Sequence, residues 1–334
     1  DEGQPRRTEP PRSGGNASLT VGRNATLGGT LTTGGNFTAN VAHDLTANDA
    51  VTTGADFAAI VGNNAVTNGI VTTNGALKWN VGNDLTANAA VLSHGTTTID
   101  AQNVNLNADL MSDKNLVITA KNNIVTKEGA NLSTKADGTL KARTVGFGGD
   151  VHADGTLTIE TDEQLAAKNI TAGGNATLTP GTDITVNDVT VGGNLNAKAV
   201  NITAQNISAG GNATLNAGTD LFANDVNVSG DASITAGTQL TAHDVSVGGD
   251  LNTQAKNITV TSVTGEGNAV LTADKDVTVT GAFSAHNAEL TAGENMTLGG
   301  KTDVGGTLTA HIGKDLVTNG AVATGKELIA NVGN

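Results

Sequence analysis

Between Gly211 and Gly230 the chain reads GNATLNAGTDLFANDVNVSG. Apolar Ala213, Leu215 and Ala217 alternate with Thr214 and Asn216. Leu221 and Ala223 flank Phe222, and Val226 and Val228 flank Asn227. A period of two marks a strand with one buried face. The stretch therefore predicts three short strands, separated by Gly-Thr-Asp and Asn-Asp corners. Gly and Asn are expected there because they tolerate the positive φ of tight corners. By the same parity Phe222 points outward.

The pattern returns along the chain. With the second residue of each Gly-Gly-like doublet as anchor, it recurs at Gly15, Gly35, Ala55, Gly75, Gly95 and Lys114. After a break it resumes at Gly155, Gly174, Gly193, Gly211, Gly230, Gly249, Gly267, Asn287, Gly306 and Lys326. Successive anchors lie about 18 to 20 residues apart, a spacing typical of repeat architectures. The array implies about seventeen units, one of them irregular. Strands this short form no stable hairpin, but each can stack in parallel on its equivalent in the next unit, about 4.8 Å away. The predicted fold is an all-β parallel solenoid with one coil per unit and three short strands per coil. Seventeen such coils would stack to roughly 80 Å.

Competing repeat folds fail on specific grounds. Gly, Asn, Thr and Val are poor helix formers, and no 3.6-residue spacing appears. No Gly-X-Y period supports collagen. The calcium-binding nonapeptide solenoid repeats Gly-Gly-x-Gly-x-Asp every nine residues, and two residues after the doublet this chain usually has Ala, Leu or Phe instead.

The core pattern is compensatory. Two positions after the anchor stand Phe37, Phe57 and Leu77, then Ala176, Leu195 and Ala213. Four positions after it stand Ala39, Ala59 and Trp79, then Leu178, Ala197 and Leu215. Large residues at one site mostly accompany small ones at the other, as a coil of fixed volume requires. Trp79 beside Leu77 breaks the rule and predicts a locally wider coil. Thr177 and Thr214 on outward faces, and Asn187 and Asn224 at corners, are expected to stack in hydrogen-bonded ladders.

Composition fits a thin core. Aromatic residues are 2% of the 334, and Gly contributes 44. Hydrophobic residues still reach 37%, too many for a disordered chain. The net charge of −14 disfavours nucleic acid and anionic membrane as partners. With no cysteine, stability must come without disulfides. No apolar run of about 18 residues is present to span a membrane. Residues 1–13, which hold Pro5, Pro10 and Pro11, read as a disordered leader or linker. Residues 14–334 read as the repeat domain.

The period falters between about 113 and 155. Lys114, Lys121, Lys127, Lys135, Lys141 and Arg143 fall there, with Asp113, Glu128 and Asp137 among them. One reading is a basic face or protruding loop that meets an acidic glycan or lipopolysaccharide. The other is a degenerate coil with solvated charges. These six residues and the outward Phe222 are the candidate partner contacts.

Catalytic chemistry is not encoded in any recognisable form. His43, His94, His152, His243, His286 and His311 lie in different units at no ligand spacing. HExxH, CxxC, GxSxG and Walker patterns are absent. Gly146–Asp150 is glycine-rich but lacks the Lys-Ser/Thr of a phosphate loop. Asp183 and Asp220 recur at one register, which turn chemistry explains. No catalytic, metal or cofactor residue is predicted. Asn-x-Ser/Thr sequons recur, and Asn175 and Asn212 are the candidate glycosylation sites, on exposed corners.

The phrases GGNATLNAGTDL, GGNLNAKAVNITAQNI, GGTLTTGGNFTANVAHDLTAND and GKELIANVGN resemble the haemagglutinin-type repeats of filamentous haemagglutinin-like exoproteins, over residues 14–334. The resemblance implies a right-handed parallel β-helix. It also implies the shaft of a large adhesin or contact-dependent growth-inhibition effector, secreted or displayed by a Gram-negative bacterium. Export would use the outer-membrane transporter of a two-partner secretion system. Further partners would be a receptor or glycan on a host cell or a neighbouring bacterium. The Asn-Pro motifs of that family's secretion domain and a toxin module are not visible, so a shaft segment or a truncated reading frame is expected. Two other functions stay open: a receptor- or glycan-binding module, and a β-helix enzyme acting on carbohydrate.

Overall fold

Phe37 pairs with Phe57, Leu195 with Ala213, and Leu308 with Leu328, each in parallel register. The offsets are the repeat lengths read from the sequence. The computed structural model describes residues 12–333, which form a right-handed parallel β-helix of about 17 turns with no helix among them. The contacts divide the chain into two compact units, Asp1–Gly155 and Thr156–Asn334.

In the first unit the regular coil has three strands, such as Phe37–Val41, Leu45–Ala47 and Val51–Thr53. Their alternate residues are buried, and the next coil repeats them twenty residues on. Phe37 and Phe57 stack with ring centroids 5.4 Å apart, and Trp79 meets Phe57 edge-on at 5.9 Å. Trp79 does not require a longer coil. Leu77 pairs with Phe57 before it and Thr97 after it, twenty residues away on each side. The indole stacks in register between Ala59 and Ile99, and the small Ala59 releases the volume it needs.

One inward column is polar. Thr33, Thr53, Thr73, Ser93, Ser112 and Thr134 are all buried. Thr73 Oγ1 donates to the Ala55 carbonyl at 2.6 Å and accepts from Thr53 Oγ1 at 2.8 Å. These hydroxyls bond anchor-corner carbonyls that also accept the amide of the next coil, and the bonds offset the burial of the hydroxyls.

The glycines serve a different purpose from the one expected. Among the described residues only Gly129 has positive φ, at 77°. Most of the other corner glycines instead lie where the coils come close. A Cβ on Gly62 would lie 2.1 Å from the Ala42 carbonyl oxygen, and one on Gly82 would lie 2.1 Å from that of Gly62. At these positions corner backbone rides on corner backbone, and a Cβ could be added only if the coil shifted.

The break is one long coil. Leu110 pairs with Leu132, 22 residues on, and Leu132 with Val151, 19 residues on. Ala136 holds the anchor place, accepting from the Gly155 amide at 3.0 Å. The extra residues are taken up in the turn through Lys127, Glu128 and Gly129, closed by the Ala130 amide on the Lys127 carbonyl at 2.9 Å. Among the described residues only this turn uses left-handed backbone, and no long loop protrudes.

In the middle coils of the second unit the second and third strands merge. Asp220–Val228 is one nine-residue strand with Leu221, Ala223, Val226 and Val228 buried. Parity switches at Asn224–Asp225, so the corner is a bend in a continuous strand. These coils are 18 or 19 residues long, and the last coils return to 20 residues and three strands. One anchor differs from the sequence reading. His286, not Asn287, donates to the Gly267 carbonyl, so the doublet place lies one residue earlier.

Arg12 and Ser13 pair with Thr32 and Thr33, so the ladder starts inside the segment read as leader. The rest of that segment, residues 1–11, lies outside the described residues.

Candidate functional site

The Asn or Asp after the doublet carries the main polar ladder. Asn175 Oδ1 accepts the Asn194 amide at 2.8 Å, Asn194 Oδ1 the Asn212 amide at 2.8 Å, and Asn212 Oδ1 the Asp231 amide at 2.9 Å. Asp231 and Asp250 continue it to Asn268 at 2.9 and 2.7 Å. Both candidate glycosylation asparagines, Asn175 and Asn212, are exposed members of this ladder. Their Oδ1 atoms hold the next coil.

Further ladders run at the other corners. In the first unit Asn68 Nδ2 donates to Asn48 at 3.2 Å, and Asn88 and Asn107 continue upward at 2.7 Å each. In the second unit Asn201 Nδ2 donates to Asp183 at 2.8 Å, and the Asp220 amide donates to Asn201. Asp183 and Asp220 are thus members of one column, separated by Asn201. At the bend, the bond runs from Asn206 Nδ2 to Asp188 at 2.6 Å, one residue beyond the Asn187 expected to stack.

The six basic residues of the long coil are spread around it. Lys114 stands at the anchor corner, and Lys135 stands beside that corner one coil on. Lys121 and Arg143 each lie two residues beyond the paired Thr119 and Lys141, at the end of the first strand. Lys141 lies on the outward face of that strand, opposite Thr119. Lys127 lies in the extra turn. The structure does not gather them on one face. Lys135 is engaged: its Nζ is 2.7 Å from Asp113 Oδ1, and His94 Nδ1 is 2.6 Å from Asp113 Oδ2. His94, Asp113, Lys135 and Asp154 occupy one column, each donating its amide to the coil before. The Lys135 bond, and then the His94 bond, hold the Asp113 carboxyl below the usual range, and the Asp113 bond pushes Lys135 up. All these groups face solvent, where screening keeps such pairs weak.

Phe222 is 46% exposed, as its parity predicts. It replaces a threonine in an outward column, between Thr203 and Thr241. Beside it lies a shallow recess of about 420 Å³, lined by Thr185, Thr203 and Phe222 together with the column Asp183, Asn201 and Asp220. One aromatic edge and a row of polar side chains face solvent there. Neither carboxylate there is buried in the manner of a catalytic acid or base.

Compared with protein-family models, curated proteins and solved structures, the chain matches none. No helix among the described residues is long and apolar enough to cross a membrane.

The sequence reading missed one cluster. His243 Nδ1 lies 3.0 Å from Asp244 Oδ2, and Asp225 pairs in register with Asp244. Ser262 Oγ donates to Asp244 from the coil on the other side. The hydroxyl, then the imidazole, hold the Asp244 carboxyl below its usual range. Local ligand spacing could not reveal the set, because its members sit a full coil apart. The signal was the recurrence of Asn224-Asp225 and His243-Asp244 at one register.

Proposed function

We propose that this chain is a non-enzymatic shaft segment of a secreted or surface-displayed bacterial adhesin of the filamentous haemagglutinin kind, extending and displaying binding or toxic modules. The observation that carries this reading is the use of the corners. Their side chains and glycines go into holding the next coil, and the coil length stays within a few residues throughout each unit. A repeat that uses its polar groups for its own stacking suits reach and display. On this reading the partners are the outer-membrane transporter of a two-partner secretion system and a receptor or glycan on a host cell or neighbouring bacterium. The location is outside a Gram-negative cell. Coil-by-coil stacking supports export, since a chain that emerges unfolded can order in sequence outside the membrane.

A second reading has one observation in its favour. The recess beside Phe222 offers an aromatic face with neighbouring acceptors, a combination that suits a neutral glycan. On that reading the segment is itself a binding module.

Direct binding of the labelled 334-residue chain to host cells and to neighbouring bacteria, at low and high salt, separates the two. A shaft gives no saturable binding. Saturable binding lost on Phe222→Thr would favour the recess. Saturable, salt-sensitive binding lost on charge reversal of Lys121, Lys127, Lys135 and Lys141 would favour the basic coil. Either binding result overturns the shaft reading. New reducing ends released from uronic-acid polysaccharides would replace both readings with an enzyme.

A further inference from the structure

The strand Asp220–Val228 stacks on the strand Gln239–Val247, which puts Asp225 directly against Asp244. Like charges facing each other across a ladder destabilise it. Elsewhere the chain relieves such contacts. Asp183 and Asp220 are separated by Asn201, and Asp188 and Asp225 by Asn206. Asp231 and Asp250 also stack directly, but each accepts a backbone amide from the next coil. Glu294 lies 2.7 Å from Lys314 and 3.6 Å from Lys275. At Asp225 and Asp244 no asparagine intervenes and no lysine pairs with either among the described residues, although Asp244 is bonded by the Ser262 hydroxyl and the His243 ring. The corner there is a bend in a continuous strand, so the carboxylates project outward and take no amide of the next coil. Among the described residues the Asp225 side chain has neither a hydrogen-bond partner nor an ion-pair partner.

Beside this pair stands an imidazole. One ligand atom each from Asp225, His243 and Asp244 lies within 4.8 Å of the others, and all three side chains are exposed. We propose that Asp225, His243 and Asp244 form a binding site for a divalent transition-metal cation, zinc-like in its preference for imidazole with carboxylate, bridging two consecutive coils. A tetrahedral ion with bonds of about 2.0–2.1 Å holds its ligand atoms roughly 3.3 Å apart. Small rotations of exposed side chains close the observed set to that size. Two carboxylates and a neutral imidazole leave a fourth position for water. The nitrogen ligand selects zinc, cobalt, nickel or copper over calcium and magnesium, which prefer all-oxygen sets. The ion supplies the positive charge that the Asp–Asp stack lacks. Ser262 supports the site by bonding Asp244 from the far side. The β-ladder fixes the spacing of the two aspartates before any metal arrives. A comparable pair, His94 with Asp113, has Lys135 on the same carboxylate, which repels a cation.

The test is isothermal titration of the full chain with zinc chloride at neutral pH, repeated on His243→Ala, Asp225→Asn and His94→Ala. All three positions are on the surface, and circular dichroism of each variant checks the fold. The expected result is one site per chain, weakened by more than about tenfold in His243→Ala and Asp225→Asn. Binding should be unchanged in His94→Ala and undiminished by excess magnesium. Cobalt should give visible absorption bands that zinc removes. The proposal is overturned if the native chain takes up no zinc. It is also overturned if binding survives His243→Ala, or if magnesium competes equally.

Discussion

Asn212 Oδ1 accepts the Asp231 amide at 2.9 Å, and it does so across the place where Gly230 has no side chain. A Cβ at Gly230 would lie 2.1 Å from that oxygen. Anchor glycine and following asparagine are therefore two halves of one device. Gly230→Ala is expected to destabilise the chain by about 1–3 kcal/mol, through strain or through loss of the Asn212 bond. Asn212→Ala should cost about 1 kcal/mol. Because the clash is largely with the Asn212 side chain, the double variant should lose less than the two single losses together. Urea unfolding of the four proteins measures this.

Leu215 is fully buried between Ala197 and Ile234 of adjacent coils, while Phe222 in the same coil faces solvent. Leu215→Ala should cost about 2–5 kcal/mol, since neighbouring backbone locked in a ladder cannot collapse into the gap. Phe222→Thr restores the residue type of its column and should change stability by less than about 0.5 kcal/mol. Thermal unfolding of the pair reads the contrast. A large loss at Phe222 would mean that the ring packs against more than the surface column.

Gly129 stands at φ 77°, and a Cβ added there would meet nothing within 4 Å. The cost of a side chain at this position is purely conformational. Gly129→Ala should destabilise by about 1–2 kcal/mol, and Gly129→Asn by less, because Asn visits the left-handed region more readily. At Gly62 the order should not hold. The obstacle there is the Ala42 carbonyl, and both substitutions should be harmful in unfolding measurements.

The Asp113–Lys135 pair has a defined pH window. Asp113 is depressed, so its contribution is present above the unfolded value of about 3.9 and is lost as pH falls through the folded pKa. Lys135 is raised, so its contribution is present below about 10.4 and is lost as pH rises through its folded pKa. Both groups keep their charge between those limits. Lys135→Met should therefore move the Asp113 titration upward toward its ordinary value, as read by carboxyl NMR. Any stability difference from the native chain should be flat through neutral pH and should vanish in acid and in high salt.

Period-two alternation, together with the recurring doublet, was enough to give the parallel solenoid, the coil length, and the burial of Leu215, Leu221 and Val226. It also gave the exposure of Phe222. Side-chain parity and repeat length are local properties of the chain, and stacking near-identical coils satisfies both at once. What the sequence could not reveal was how one coil meets the next. The corner glycines looked like positive-φ residues, yet among the described residues only Gly129 is one. Gly62, Gly82 and their like are excluded-volume sites facing a carbonyl of the preceding coil. The six basic residues looked like a patch because they are near in sequence, but the coil winds them to different corners. His243 looked isolated because Asp225 lies a full coil away. Contacts along the stack join residues 18 to 22 positions apart, and their chemistry depends on register. One residue of slip separates Asn287 from His286, or Asn187 from Asp188. That register is fixed by packing and amide ladders throughout each unit, so only the tertiary structure decides it.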